Sequence, residues 1–174
     1  MKKIPAIVVC ICLVYFVSAQ PASKKISAYD NKFTMLIPSD VKLMTPEQIQ
    51  IKYHKSPDNK TSFYSDEDAD FSIVLSVIRE NVEEADLVAN KDRLTSQVEA
   101  KGYTLEENEI KKVKKHNLVV ISFYSDVPGG KIFNKRFYAV VDGKLIMAVF
   151  NCTESVQEKW KPAIDMSINS VEIK

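Results

Sequence analysis

The chain has 174 residues, with 24 Lys and Arg against 23 Asp and Glu, a formal net charge of +1, and 45 % apolar residues. Mixed charge this close to balance excludes the basic footprint of a nucleic-acid-binding surface and the polyacidic tract of a charged tail. The apolar fraction and the length suit one domain with a core of its own, and are too little for two comfortable ones.

The first nineteen residues read as an export signal. Lys2 and Lys3 make a positive start, Ile7 to Val17 an apolar run, and Val17-Ser18-Ala19 places small side chains where a signal peptidase needs them. The run falls short of the ~20 apolar residues that cross ~30 Å of hydrocarbon as a helix. Cleavage between Ala19 and Gln20 is therefore expected, with no stable membrane anchor afterwards and a periplasmic or extracellular destination. Cys10 and Cys12 follow the bulky Val9 and Ile11, which argues against an acylated lipoprotein. Removing the segment takes two lysines and no acid, so the charge of +1 becomes −1, and Cys152 is left as the one cysteine. No intramolecular disulfide is then possible, and the core alone must hold the fold. Cys152 ends the apolar run "LIMAVFNCT", the place of a small buried hydrophobe rather than of a reactive thiol.

Residues 20–27 read as a flexible polar lead-in, and residues 28–174 as a single domain. "AYDNKFTMLIPSD" reads as a strand pair turning at Asp30-Asn31, with Phe33, Met35 and Ile37 on one face. "TPEQIQIKYH" opens a helix: Thr45 caps it, Pro46 takes the first position and Gln48 completes a capping box, with Ile49 and Tyr53 one turn apart. After "TSFYS" comes the acidic run, then "DFSIVLSVI", apolar on one face and half apolar on the other, as in a central strand. "EEADLVANKDRLTSQVEAKG" reads as one long helix with Leu87, Leu94 and Val98 as its buried stripe and Gly102 as its C-terminal cap. Four strands in a meander follow, turning at Lys115-His116-Asn117, Pro128-Gly129-Gly130 and Asp142-Gly143. In the terminal helix Val156, Trp160, Ile164 and Ile168 recur every four residues, with a kink or break expected at Pro162 and a last short strand "VEI" after it. One antiparallel sheet with helices on its faces fits this order.

Motifs for chemistry are few. Asp66, Asp68 and Asp70 have the opening rhythm of an EF-hand loop, but position six is Phe71 instead of Gly and position twelve is Val77 instead of Glu. A hairpin turn with solvated carboxylates is the expectation, and no metal or other cofactor is expected. His54 and His116 belong to no zinc spacing. Glu83-Glu84 and Glu106-Glu107 point apart as neighbours on one element, so they read as surface rather than acid/base pairs. Four glycines cannot build a phosphate-cradling loop. No catalytic residue can be named, no enzyme activity is expected, and no motif singles out the binding residues. Lys111, Lys112, Lys114 and Lys115 form the densest basic run, the usual dress of an edge strand. Of the two glycosylation sequons, Asn59-Lys60-Thr61 lies in a loop and Asn151-Cys152-Thr153 ends a strand.

The order of these parts resembles the PsbP-like superfamily, which includes DcrB-like proteins. "YDNKFTMLIPSD" matches its F-x-h-x-h-P opening strand, where h is apolar. The "DFSIVLSVIRE" strand, the helix closing at Gly102, the three-hairpin meander and the Trp-bearing late helix fall in matching places over nearly all of residues 28–174. Ser39-Asp40 stands where the family usually has Gly-Trp. The resemblance implies a three-layer α/β/α sandwich of the α+β class with a central antiparallel sheet. It also implies binding rather than catalysis, with no catalytic residues to carry over and partners that differ from member to member. The functional expectation is an exported accessory protein acting on a protein partner, not on nucleic acid. The alternative is a carrier of a small apolar or lipid ligand, as in cystatin-like and nuclear-transport-factor-like folds. A hydrolase too divergent to show a motif is the third reading.

Overall fold

The computed structural model describes residues 22–174; the expected signal segment, with Ala19 and Gln20, lies outside them. In chain order the elements are β1 (Ser23–Ala28), β2 (Phe33–Pro38), β3 (Lys42–Leu43), α1 (Pro46–Tyr53), β4 (Thr61–Ser65), β5 (Phe71–Glu80), α2 (Glu84–Ala89), α3 (Lys91–Glu99), β6 (Thr104–Val113), β7 (His116–Val127), β8 (Gly130–Val141), β9 (Lys144–Thr153), a 3₁₀ turn (Glu154–Val156), α4 (Gln157–Asn169) and β10 (Glu172–Ile173).

The strands pair antiparallel in two sheets, not in the one expected: a seven-stranded sheet ordered β3-β4-β5-β9-β8-β7-β6 and a three-stranded one ordered β1-β2-β10. The small sheet exists because β2 is apolar on nearly every position. Phe33, Met35 and Ile37 bury into the main core, and β1 and β10 satisfy its two edges. The lead-in expected over 20–27 is corrected by β1. Only Ile26 and Ala28 pack on the core there, but every residue from Ser23 to Ala28 has a partner on β2. A half-exposed strand needs no more apolar content than that.

Alternation along β7 shows how the main sheet is covered. Leu118 and Val120 join the core under α4 and β2, while Val119, Ile121 and Phe123 join a second core under α2 and α3. Each fully buried side chain of this kind contributes ~1.5–3 kcal/mol relative to exposure. A third, smaller cluster of Met44, Ile49 and Phe63 seats α1 beside β4.

Local chemistry explains most boundaries. The Asp142-Gly143 turn has positive φ at both residues (51° and 71°), the geometry that joins β8 to β9 with the twist of the strands. The long helix expected after residue 83 divides at Asn90. Its side-chain amide donates to the Asp86 carbonyl at 2.7 Å, an alternative to the helical ladder that Asn readily offers. The β6–β7 turn falls one residue earlier than expected, with Val113 opposite His116 and Lys114 at positive φ. The helix α4 runs through Pro162 without interruption. Burial of Trp160, Ala163, Ile164 and Ile168 outweighs the one hydrogen bond that proline removes. Among the described residues, no helix is long and apolar enough to cross a membrane.

Candidate functional site

The richest surface lies around α1. Its first turn is built as its sequence demands: the Gln48 N–H donates to Thr45 Oγ1 and the Gln48 side-chain oxygen accepts from the Thr45 N–H at 2.8 Å. Ile49 turns inward, and Tyr53 lays its ring 4.9 Å from Phe63 while its hydroxyl meets Ser72 Oγ at 3.0 Å. Burial raises the Tyr53 pKa. At the end of the helix Lys52 donates to the Ala69 carbonyl at 3.0 Å and so pins α1 to the acidic loop. Burial lowers the Lys52 pKa, opposed by the charges of Asp66 and Asp70.

That loop brings Asp66, Asp68 and Asp70 together, with carboxylate oxygens all within 4.8 Å of one another. It is built as a hairpin turn. Asp66 is buried and accepts the Phe71 N–H at 2.9 Å, its own N–H donates back to the Phe71 carbonyl, and Ala69 takes positive φ. Phe71 and Val77 sit in β5, opposite Cys152 and Ile146. They cannot supply the sixth and twelfth positions of a calcium loop, because both are committed to the ladder.

Between α1 and the ends of β5 and β9 opens a cleft of about 250 Å³, lined by Lys52, Tyr53, Asp70, Ser72, Asn151 and Cys152 among others. Burial, with the charge of Asp70, pushes the Cys152 thiol up to about 12, so it stays protonated and is a poor nucleophile. On the solvent face of α1 a shallow depression of about 430 Å³ is lined by Pro46, Gln50, Ile51 and Pro57. A groove of about 210 Å³ runs from Leu43 to Asp66 and Glu67 on the other flank. Leu43 is 65 % exposed and Ile51 77 %, the two most exposed large apolar side chains among the described residues.

A second polar group lies beside α4. Lys135, only 12 % exposed, donates to Asp165 at 3.1 Å and lies 2.9 Å from Glu107. Burial works against its charge, but the hydrogen bonds and charges of Glu107 and Asp165 together outweigh it and raise its pKa. Its neighbour Glu106 is exposed, so the pair expected to point apart does so. Glu107 itself, however, is not the surface residue expected. A register shift after Leu105 aims it at Ser122 and Lys135, partners that no sequence spacing announces. These groups satisfy one another, as a structural ion pair does.

The remaining singled-out residues are dispersed. His54 ends α1 in the left-handed conformation, and His116 starts β7 with Nε2 3.1 Å from the Ile173 carbonyl and Nδ1 3.6 Å from Glu84. Glu84 also accepts the Asn117 N–H, so it caps the start of β7 rather than standing free in solvent. Asn59 is exposed in a turn, whereas Asn151 pairs with both Ser72 and Asn134 inside the sheet. Lys111 and Lys112 lie on the edge strand β6, as the basic run implied.

No family model and no curated protein sequence matches the chain. Solved structures do. PsbP (CyanoP) of Synechocystis sp. PCC 6803 is 14 % identical over 91 % of this chain and 96 % of its own, with a TM-score of 0.61. A protein of Bacteroides thetaiotaomicron VPI-5482 is 13 % identical over 89 % of this chain, with a TM-score of 0.58; the match spans 49 % of that protein's length. LpqN of Mycobacterium tuberculosis, involved in cell envelope biogenesis, is 11 % identical over 88 % of this chain and 91 % of its own, with a TM-score of 0.51. At such identities the likeness is one of fold. The chain has the PsbP-like fold that its strand and helix order resembled.

Proposed function

We propose that this PsbP-like chain is an exported, non-catalytic accessory protein that binds a protein partner through the α1 surface. The carrying observation is the exposure of Leu43 and Ile51 beside the grooves that flank α1. Large apolar side chains left in water and rimmed by polar ones are the composition of an interaction site. Lys42, Lys55 and the acidic loop supply that rim.

Packing under α4 supports binding at a surface rather than in a pocket. Phe71 stacks on Trp160 with ring centroids 4.4 Å apart, and Phe137 and Phe150 fill the space beside them. Rings that occupy this space leave it to the core instead of to an apolar cargo. The same reading takes α2 with α3, the seven-stranded sheet, and α4 with the small sheet as three successive layers. Export rests on the segment ending at Ala19, and the envelope role of LpqN supports an address outside the cytoplasm.

The test uses the secreted chain as bait for cross-linked partners from the envelope of its source cell. A partner recovered by the native protein and lost with Ile51→Glu, at unchanged melting temperature, is the expected result. Equal recovery by both would remove α1 from the reading. A stoichiometric lipid in an organic extract of the purified protein would favour the carrier instead. N-terminal sequencing of the secreted material should begin at Gln20.

A further inference from the structure

The seven-stranded sheet ends unequally. At one edge β3 is two residues long, too short to template another strand, whereas at the other β6 runs for ten residues with β7 as its one partner among the described residues. An antiparallel edge strand turns half of its backbone N–H and C=O groups outward. Lysines normally protect such an edge, and Lys111 and Lys112 would repel many approaching strands.

The charges on β6 are not scattered, however. Glu106, Glu107 and Glu109 occupy its first part, Lys111 and Lys112 its last, and Ile110 lies between them, 40 % exposed. We infer that β6 is the interface of a homodimer, in which two copies pair antiparallel about a twofold axis through Ile110 and join their sheets.

The order of charges selects this arrangement. With Ile110 opposite Ile110, Glu109 of each copy faces Lys111 of the other, and Asn108 faces Lys112. Symmetry supplies every pair twice. Opposite charges directly across a ladder stabilise it and like charges destabilise it. Sliding the register by two residues brings Glu109 against Glu109 in one direction and Lys111 against Lys111 in the other. Parallel in-register pairing would place acid beside acid in the first part of the strand and lysine beside lysine in the last. The residues that deter a foreign strand are therefore neutralised by a second copy alone. Glu109 and Lys111 share the face of Val113, which packs under α4, and Ile110 falls on the other face, so apolar and ionic pairs do not compete for space. This interface is at the opposite edge of the sheet from β3 and α1, and stands whatever becomes of the α1 reading.

Sedimentation equilibrium of the secreted chain, at low and at high salt, tests it. A reversible dimer is expected, weakened by salt. Glu109→Lys and Lys111→Glu should each weaken it by tenfold or more, and the double swap should restore it by reversing the pair. Glu109 is exposed and Lys111 half-buried, and neither makes an ion pair among the described residues, so circular dichroism and melting should match the native chain. Independently, Ile110→Cys should give a disulfide-linked dimer on mild oxidation, since opposed residues at the twofold bring their Cβ atoms within bonding reach. A chain that stays monomeric at high concentration in low salt overturns the inference. So does a dimer indifferent to the single swaps, or one that the double swap fails to restore.

Discussion

Trp160 is the one tryptophan of the chain, 4 % exposed, and it lies nearly parallel to Phe71 with an interplanar angle of 11°. Lys159 places its ammonium over the indole, 4.7 Å from the ring centroid, where the cation is attracted to the ring face. Truncating a large buried aromatic costs ~3–5 kcal/mol, a large share of the ~5–15 kcal/mol that holds a domain folded. Trp160→Ala should therefore melt far below the native chain or fail to accumulate. Trp160→Phe should lose much less, because it keeps a ring against Phe71 and removes an indole N–H that has no protein partner. Native indole emission should be blue-shifted and insensitive to iodide. Emission like that of free indole, together with a normally melting alanine variant, would show that the side chain is exposed after all.

At the scale of elements, two connections decide how the sheets are held. The β4–β5 turn folds through Asp66, whose carboxylate already serves the Phe71 N–H, so calcium is not needed to shape it. The melting temperature should be the same in calcium as in chelator. A rise of several degrees that Asp68→Ala abolishes would mean that the three carboxylates do hold an ion. At the other end, Glu172 on β10 receives Lys25 from β1 at 2.8 Å and Lys114 from the β6–β7 turn, tying the small sheet to the large one. Their hydrogen bonds and charges, Lys114 first, lower its pKa from 4.5 to about 2. A carboxyl with a folded pKa below its unfolded one adds stability that is complete above about pH 4.5. That stability is lost as the pH falls toward 2. Stability should accordingly decline across this acid window, and Glu172→Gln should flatten that part of the decline. An identical acid profile for the variant would show that the tie contributes nothing.

For the whole molecule, the two cores share one set of strands. Leu118 and Val120 face α4 from the same strand whose Val119 and Ile121 face α2 and α3. Neither face can be lost without exposing the other, so unfolding should be a single transition. Leu94→Ala on α3 and Ile164→Ala on α4 should each cost ~2–5 kcal/mol, as truncations of buried aliphatic side chains do. Both should lower one common midpoint when followed by circular dichroism and by Trp160 fluorescence. Separate transitions for the two probes would mean that the faces unfold as independent units.

The sequence by itself determined whatever a few neighbouring residues can enforce. Thr45, Pro46 and Gln48 start α1, Asp142-Gly143 turns β8 into β9, and the four-residue rhythm around Trp160 points one face of α4 inward. Each depends on contacts within one or two turns of chain, where residue type and spacing are sufficient. Tertiary structure alone decided the rest. Polar-looking Ser23–Ala28 became a strand because β2 offered it a ladder. Lys135 became the partner of Glu107 and Asp165, and the acidic loop met Lys52 and the Cys152 cleft, through approaches between separate elements. Lys25 reaches Glu172 across 147 positions of sequence. A local pattern shows that a side chain must be buried or a charge satisfied; which distant residue does so depends on how the whole set of strands closes into its sheets.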